Sequence, residues 1–182
     1  ATAPFMGKTF DTEELGEMGA ESTSGAGEVL GAGALQAREL VDSSRRHLCE
    51  SGLFHPEAFD AHDPPSDKRI VFCEGFRVRD NPWFSALPFA PVRGEILEMA
   101  DDRTEFLNGG TWFLPLGSGK ALAGSTFDWE DLESGPTDAG TKRILEGLSY
   151  LNDPKPSVTG RRSGVRSGTR DRMPIMGTHP KN

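Results

Sequence analysis

The residues with the most chemistry to offer lie near the end of the chain, from Val158 to Pro180: V-T-G-R-R-S-G-V-R-S-G-T-R-D-R-M-P-I-M-G-T-H-P. Five arginines fall between positions 161 and 172, and Arg166 is set between Gly164 and Gly168. Glycine lets the backbone approach a neighbour closely. An arginine held between such positions can turn its planar fork toward a carboxylate, and where water is scarce that pair is strong and directional. The same composition also fits an arginine-rich surface loop, because isolated charges are usually solvated. Asp171 and the apolar group Met173, Pro174, Ile175 and Met176 follow.

The elements that must position this segment can be read from pattern. Val158 and Val165 bracket an extended run. If Val165 faces a core, Arg166 faces the other side of the same strand. The string V-R-G-E-I-L-E-M from Val92 alternates Val92, Gly94, Ile96 and Glu98 against Arg93, Glu95, Leu97 and Met99, as a strand with both faces partly covered does. Strands at 111–116 and 121–127 are joined by Gly117-Ser118-Gly119-Lys120, a hairpin loop in which both glycines take positive φ. Pro136-Thr137-Asp138 opens a helix, with Thr137 as N-cap and Ile144, Leu145, Leu148 and Leu151 as the buried stripe. A second helix spans 36–51, with Ala37, Leu40, Val41, Ser44 and Leu48 on one face and Gly52 as its stop. Arg69 to Gly75, R-I-V-F-C-E-G, is a short apolar run ended by glycine, the pattern of a strand buried on both faces. Residues 1–27 are acidic and glycine-dotted and read as a loop or a loosely docked arm.

Several motifs fail on spacing. Gly25-Ala26-Gly27 and Gly31-Ala32-Gly33 lack the third glycine and the preceding apolar strand of a dinucleotide fingerprint. In G-S-G-K, Lys120 is followed by Ala121 and a strand, so no phosphate loop forms. The carboxylates at 128, 130, 131 and 133 lack the alternation and glycine of a calcium loop. Cys49 and Cys73 are far apart and belong to no CxxC pair, which supports neither a zinc site nor a disulfide framework and fits a reducing, cytoplasmic setting. His47 and Cys49 point to different sides of their helix, and His55 and His62 have no carboxylate at metal-ligand spacing.

With 182 residues the chain can bury one sizeable core. No apolar run approaches the roughly 20 residues of a membrane helix, and the opening residues lack a secretory-leader pattern. The net charge of −8 is unevenly spread: residues 155–182 carry +6 and the remainder −14. A basic end can bind nucleic acid, but this one has no aromatic residue on which bases could stack and alternates with apolar residues that want a core, which argues against that class.

Gly164, Arg166, Thr169, Asp171, Pro174, Ile175 and Gly177 occur in the order of the C-terminal signature of the FAD-dependent D-amino-acid oxidase and glycine oxidase superfamily, which this segment resembles. Ser167 stands where that family usually has proline. The strings P-V-R-G-E-I-L and F-D-W-E-D-L with the helix after it are similar to the same family, and the resemblance covers about residues 28 to 180. It implies an α+β fold: an antiparallel substrate-domain sheet with covering helices, plus short segments that belong to the flavin domain. Residues 28–157 would be the substrate-binding domain, with 67–85 returning to the flavin domain, and 158–182 the flavin- and substrate-contacting segment. Arg166 would bind the substrate carboxylate. Cys73, Glu74, Gly75, Gly164, Val165, Gly168 and Gly177 would lie against the FAD, although cysteine and glutamate replace the usual small residues at 73 and 74.

Family chains begin with a strand, GxGxxG and helix that hold the FAD diphosphate and continue past the final motif, and neither feature occurs here. The resemblance therefore implies a portion of a larger amine or amino-acid oxidoreductase, inactive alone and holding FAD weakly, whose partners are the substrate and the missing flavin domain. The alternative class is a non-catalytic ligand- or partner-binding domain that keeps the oxidase scaffold.

Overall fold

The computed structural model describes residues 5–7, 21–23, 26–29, 34–171 and 173–179. Its centre is a five-stranded antiparallel sheet in the order β5-β6-β7-β4-β8. The strands are β4 (Val92–Ala100), β5 (Leu107–Asn108), β6 (Trp112–Gly117), β7 (Lys120–Gly124) and β8 (Ser157–Arg166). β4 lies inside the sheet, paired on both edges, and its alternation places Arg93, Glu95 and Leu97 on one face and Val92, Gly94 and Ile96 on the other. β8 pairs along its whole length, from Val92 opposite Arg166 to Ala100 opposite Ser157, with an irregularity beside Glu98 and Met99. The hairpin between β6 and β7 is tighter than the four-residue loop predicted. Gly117 pairs with Lys120, leaving Ser118 and Gly119 at the turn with φ of 52° and 69°. Positive φ at both turn residues matches the right-handed twist of the flanking strands.

Helix α2 (Asp138–Gly147) covers one face of the sheet, and α1 is Ala37–Glu50. The Thr137 hydroxyl accepts from the Gly140 backbone N–H at 2.9 Å, closing an orphan donor of the first turn, and Asp138 meets the positive end of the helix dipole. Leu97, Met99, Phe113, Ala121 and Ala123 of the sheet pack with Ile144, Leu148 and Leu151 to form the core. Each large side chain removed from water there contributes about 1.5–3 kcal/mol. The sheet and its helix make the fold α+β.

Four expectations are corrected. Leu145 is exposed, because Ile144, Leu148 and Leu151 already fill the space under α2. The apolar stripe of α1 is also exposed, since none of its residues is buried. Arg69 to Gly75 is not a strand, and Val71 is 77 % exposed. A strand buried on both faces needs partners on both edges, and none of the described strands pairs with this run. In its place, Phe72 makes edge contacts with Phe59 and Phe84. Finally, the acidic arm contains regular structure: β1 (Phe5–Gly7), β2 (Glu21–Thr23) and β3 (Ala26–Val29) form a separate antiparallel sheet in the order β1-β3-β2. Runs of three or four residues are too short for alternation to reveal them.

Among the described residues no helix is long and apolar enough to cross a membrane.

Candidate functional site

The period-two geometry of β4 divides its charged side chains between two environments. On the helix side, Arg93 and Glu95 are each only 3 % exposed. Arg93 donates from Nε to the Asp131 carbonyl at 2.6 Å, from Nη1 to Glu95 Oε1 at 3.0 Å and the Gly135 carbonyl at 2.8 Å, and from Nη2 to Asp128 Oδ2 at 2.8 Å. Glu95 accepts from the Thr137 backbone N–H at 2.8 Å and the Thr137 hydroxyl at 2.9 Å, directly beneath the start of α2. Gly140 is required there, because a β-carbon at that position would overlap the Glu95 carboxylate. A buried charge is tolerable only when paired and hydrogen-bonded, and both charges meet that condition.

Protonation follows the same contacts. The hydrogen bond to Asp128 raises the pKa of Arg93 further, against the opposing effect of burial. The Asp131 backbone N–H, and then the Arg93 guanidinium, hold Asp128 below the usual carboxylate range. Asp131 is lowered by the Ser134 hydroxyl and backbone N–H. The acidic cluster around Trp129 thus fastens a loop to Arg93, and among the described residues no group of His, Cys, Asp and Glu could hold a metal ion.

The opposite face of β4 and β8 is lined differently. Its central residue pair is Gly94 and Gly164, followed along β8 by Arg166 beside Val92. Arg166 lies back over Gly94: a β-carbon on Gly94 would stand 2.7 Å from Cζ. Nη2 donates to Ser125 Oγ at 2.7 Å, Nη1 donates to the Thr126 carbonyl at 3.4 Å, and Cζ lies 4.8 Å from the Phe127 ring centre. Arg161 is paired with Asp138 and Arg162 with Glu98, whereas Arg166 has no carboxylate within 4.0 Å among the described residues. A guanidinium carries five N–H donors. The two bonds just named leave the others available to an anion.

The remaining predicted residues divide. Gly164 shares the Arg166 face, and nothing stands within 4 Å of where its β-carbon would be. Val165 is half-buried opposite Arg93, on the helix side, so only its backbone borders the open face. Gly168 accepts from the Ala90 N–H at 2.7 Å, and a β-carbon there would stand 2.7 Å from the Ala90 carbonyl, so its small size serves chain packing. Cys73, Glu74 and Gly75 are exposed at the start of a 3-10 helix, Gly75–Asp80, that lies beside β8; Glu74 accepts from the Asn81 amide at 2.8 Å.

Gly177 is exposed, and so are Met173, Ile175 and Met176. The Thr169 hydroxyl donates to the Met173 carbonyl at 2.8 Å, and the Met173 N–H to Asp171 Oδ1 at 3.0 Å. That N–H, and then Thr169, lower the Asp171 pKa. Together with Phe89 and Ser167 these turns frame a cavity of about 480 Å³ next to Arg166 in sequence. Arg172, one of the five arginines, lies outside the described residues. Sequence reasoning missed the Arg93–Glu95 pair and the bed of Arg166. The surplus of acids at 128–133 was the available signal for the first.

Solved structures give this sheet a context. Over 98 % of its length the chain superposes on iminodiacetate oxidase from Chelativorans sp. BNC1, with a TM-score of 0.65 and 17 % identity. It also matches glycine oxidase from Geobacillus kaustophilus over 60 % of its length, with a TM-score of 0.52 and 19 % identity. The chain has the fold found in these oxidases. It spans 55 % of the first and 32 % of the second. No family model matches the sequence.

Proposed function

We propose that this chain is the substrate-recognition portion of a flavin-dependent oxidoreductase that acts on an amine or amino acid. The observation that carries the reading is Arg166: a cation without a carboxylate partner among the described residues, placed on the glycine-lined face of the sheet. Fold likeness to two oxidases is consistent with it but does not assign a role by itself.

Fixed bonds to Ser125 and Thr126 set the direction of the fork, so a carboxylate meets donors already ordered. Orienting a substrate in this way is the protein's contribution when a cofactor carries the chemistry. The residues present fit the ring side of a flavin. Gly164 leaves bare backbone with open space above it, and Gly75 begins a 3-10 helix beside β8 with nothing within 4 Å of its β-carbon position. These two positions would lie against the ring. A bound flavin would supply the acceptor for a hydride. The chain lacks a glycine-rich turn at dinucleotide spacing to hold the diphosphate, so the isolated protein is expected to be colourless.

The test uses the longest protein containing this chain, purified with flavin. Amino acids and secondary amines are added without oxygen, and bleaching of the flavin absorption is followed. Bleaching by an amine bearing a carboxylate is the expected result. A flavin-loaded protein that no amine reduces would overturn the reading, as would a stoichiometric flavin band on the isolated 182-residue chain.

A further inference from the structure

The backbone pairing of Arg93 with Asp128 turns Asp128 toward the helix side of the sheet, and its two neighbours, Phe127 and Trp129, project on the open side. Their rings stack with centres 6.0 Å apart and planes 19° apart. Large aromatic side chains are usually buried because each removes 150–250 Å² from water, yet Phe127 is 50 % exposed and Trp129 is 62 % exposed. The ledge adjoins a cation, since the Arg166 guanidinium lies over the Phe127 ring, 4.8 Å from its centre, and Trp129 extends the apolar surface beyond it. A positive fork lacking a carboxylate and a flat apolar shelf beside it are complementary to one kind of molecule: an anion on a short stem that carries a planar apolar group.

We infer that Phe127 and Trp129 are specificity-determining residues that select carboxylate ligands bearing an aromatic or similarly flat side group over the smallest carboxylates. The inference rests on Arg166 binding a carboxylate and names the class of substrate that site takes. A glycine-sized ligand satisfies the fork and leaves the ledge in water. An aromatic amino acid, or an amine carrying an arylalkanoic acid, covers both. Phe127 also fixes the guanidinium by cation–π contact, so the ledge and the fork would act on the same ligand.

The whole chain can be titrated with three probes: phenylacetate, acetate and benzyl alcohol. Nuclear magnetic resonance follows the Arg166 Nε–H and the Trp129 indole N–H. Phenylacetate is expected to bind at least tenfold more tightly than acetate and to shift both signals, with benzyl alcohol at least tenfold weaker than phenylacetate. Trp129→Ala should bring phenylacetate to the affinity of acetate while leaving acetate unchanged, and Phe127→Leu should remove the same preference and weaken acetate as well, because that ring holds the fork. Both positions are half-exposed or more, and an unchanged amide spectrum elsewhere confirms the fold. Equal affinities for phenylacetate and acetate, each abolished by Arg166→Met, would overturn the ledge and keep the carboxylate site. No shift at Arg166 with either acid would overturn the carboxylate reading itself. Benzyl alcohol as tight as phenylacetate would make the ledge a general apolar surface and overturn the inference.

Discussion

The two faces of the five-stranded sheet use arginine in opposite ways. On the helix side Arg93 is buried, is bonded to Glu95, Asp128 and two loop carbonyls, and ties the 128–135 loop to the start of α2. On the open side Arg166 rests on bare glycine backbone, bonded to one hydroxyl and one carbonyl. The first has its charge cancelled within the fold, and the second has no carboxylate partner among the described residues. Burial and partners assign the role, because the residue type is the same in both places.

The largest test of this contrast is removal of each cation in turn. Arg93→Met leaves Glu95 charged, buried and short of a partner, which should cost about 3–5 kcal/mol. Arg166→Met should change stability by less than about 0.5 kcal/mol, as surface substitutions do. Urea denaturation of the two variants measures both. Similar losses would erase the distinction between the faces.

Gly94→Ala sharpens the comparison from within one strand. The added methyl has no room beside Arg166, and overpacking of this kind costs about 1–3 kcal/mol unless the neighbour moves. Because the fork is the movable partner, the expected outcome is a smaller stability loss together with at least a tenfold loss in carboxylate affinity. Titration alongside denaturation separates the two effects. A full stability loss with unchanged affinity would mean that Gly94 does not position Arg166.

A smaller effect concerns acid. Asp128 and Asp131 have lowered pKa values in the folded state, so the folded protein binds fewer protons there than the unfolded chain. Their stabilisation is complete above the ordinary aspartate value of about 3.9 and disappears as the pH falls through the lowered folded values. Asp171 adds a term of the same sign at the C-terminal turn. Asp128→Asn should reduce stability at neutral pH and flatten the acid limb of a melting-temperature profile. An unchanged acid limb would show that the helix-side network is not held by that charge.

These contrasts were unequally legible in the sequence. β4, β8, the Thr137 cap and the glycine hairpin follow from local rules of alternation, capping and turn geometry, and all four form. The placing of Arg166 opposite Val165 on its strand follows from the same alternation. Arg93 and Glu95 were signalled only indirectly, by the surplus of acids at 128–133, because charges in a strand suggest a wet face and the partners that bury them lie 31 to 42 residues away. Arg69 to Gly75 failed for the converse reason: its apolar run has strand character, but pairing depends on neighbours that are not adjacent in sequence. The α1 stripe likewise shows amphipathicity without saying what covers it.

The measurement that bears most directly on the account is the Michaelis constant of the flavin-loaded parent protein for a carboxylate-bearing amine, compared across Arg166→Lys, Arg166→Met and Arg170→Met. Lysine keeps the charge but loses the fork, so binding should weaken by roughly 1.5–3 kcal/mol with flavin content nearly normal. Methionine at 166 should be worse, and methionine at 170, an exposed arginine, should leave the constant close to that of the unaltered protein. Equal effects of the two methionine variants, or a better substrate without a carboxylate that is indifferent to both, would contradict the assignment of Arg166.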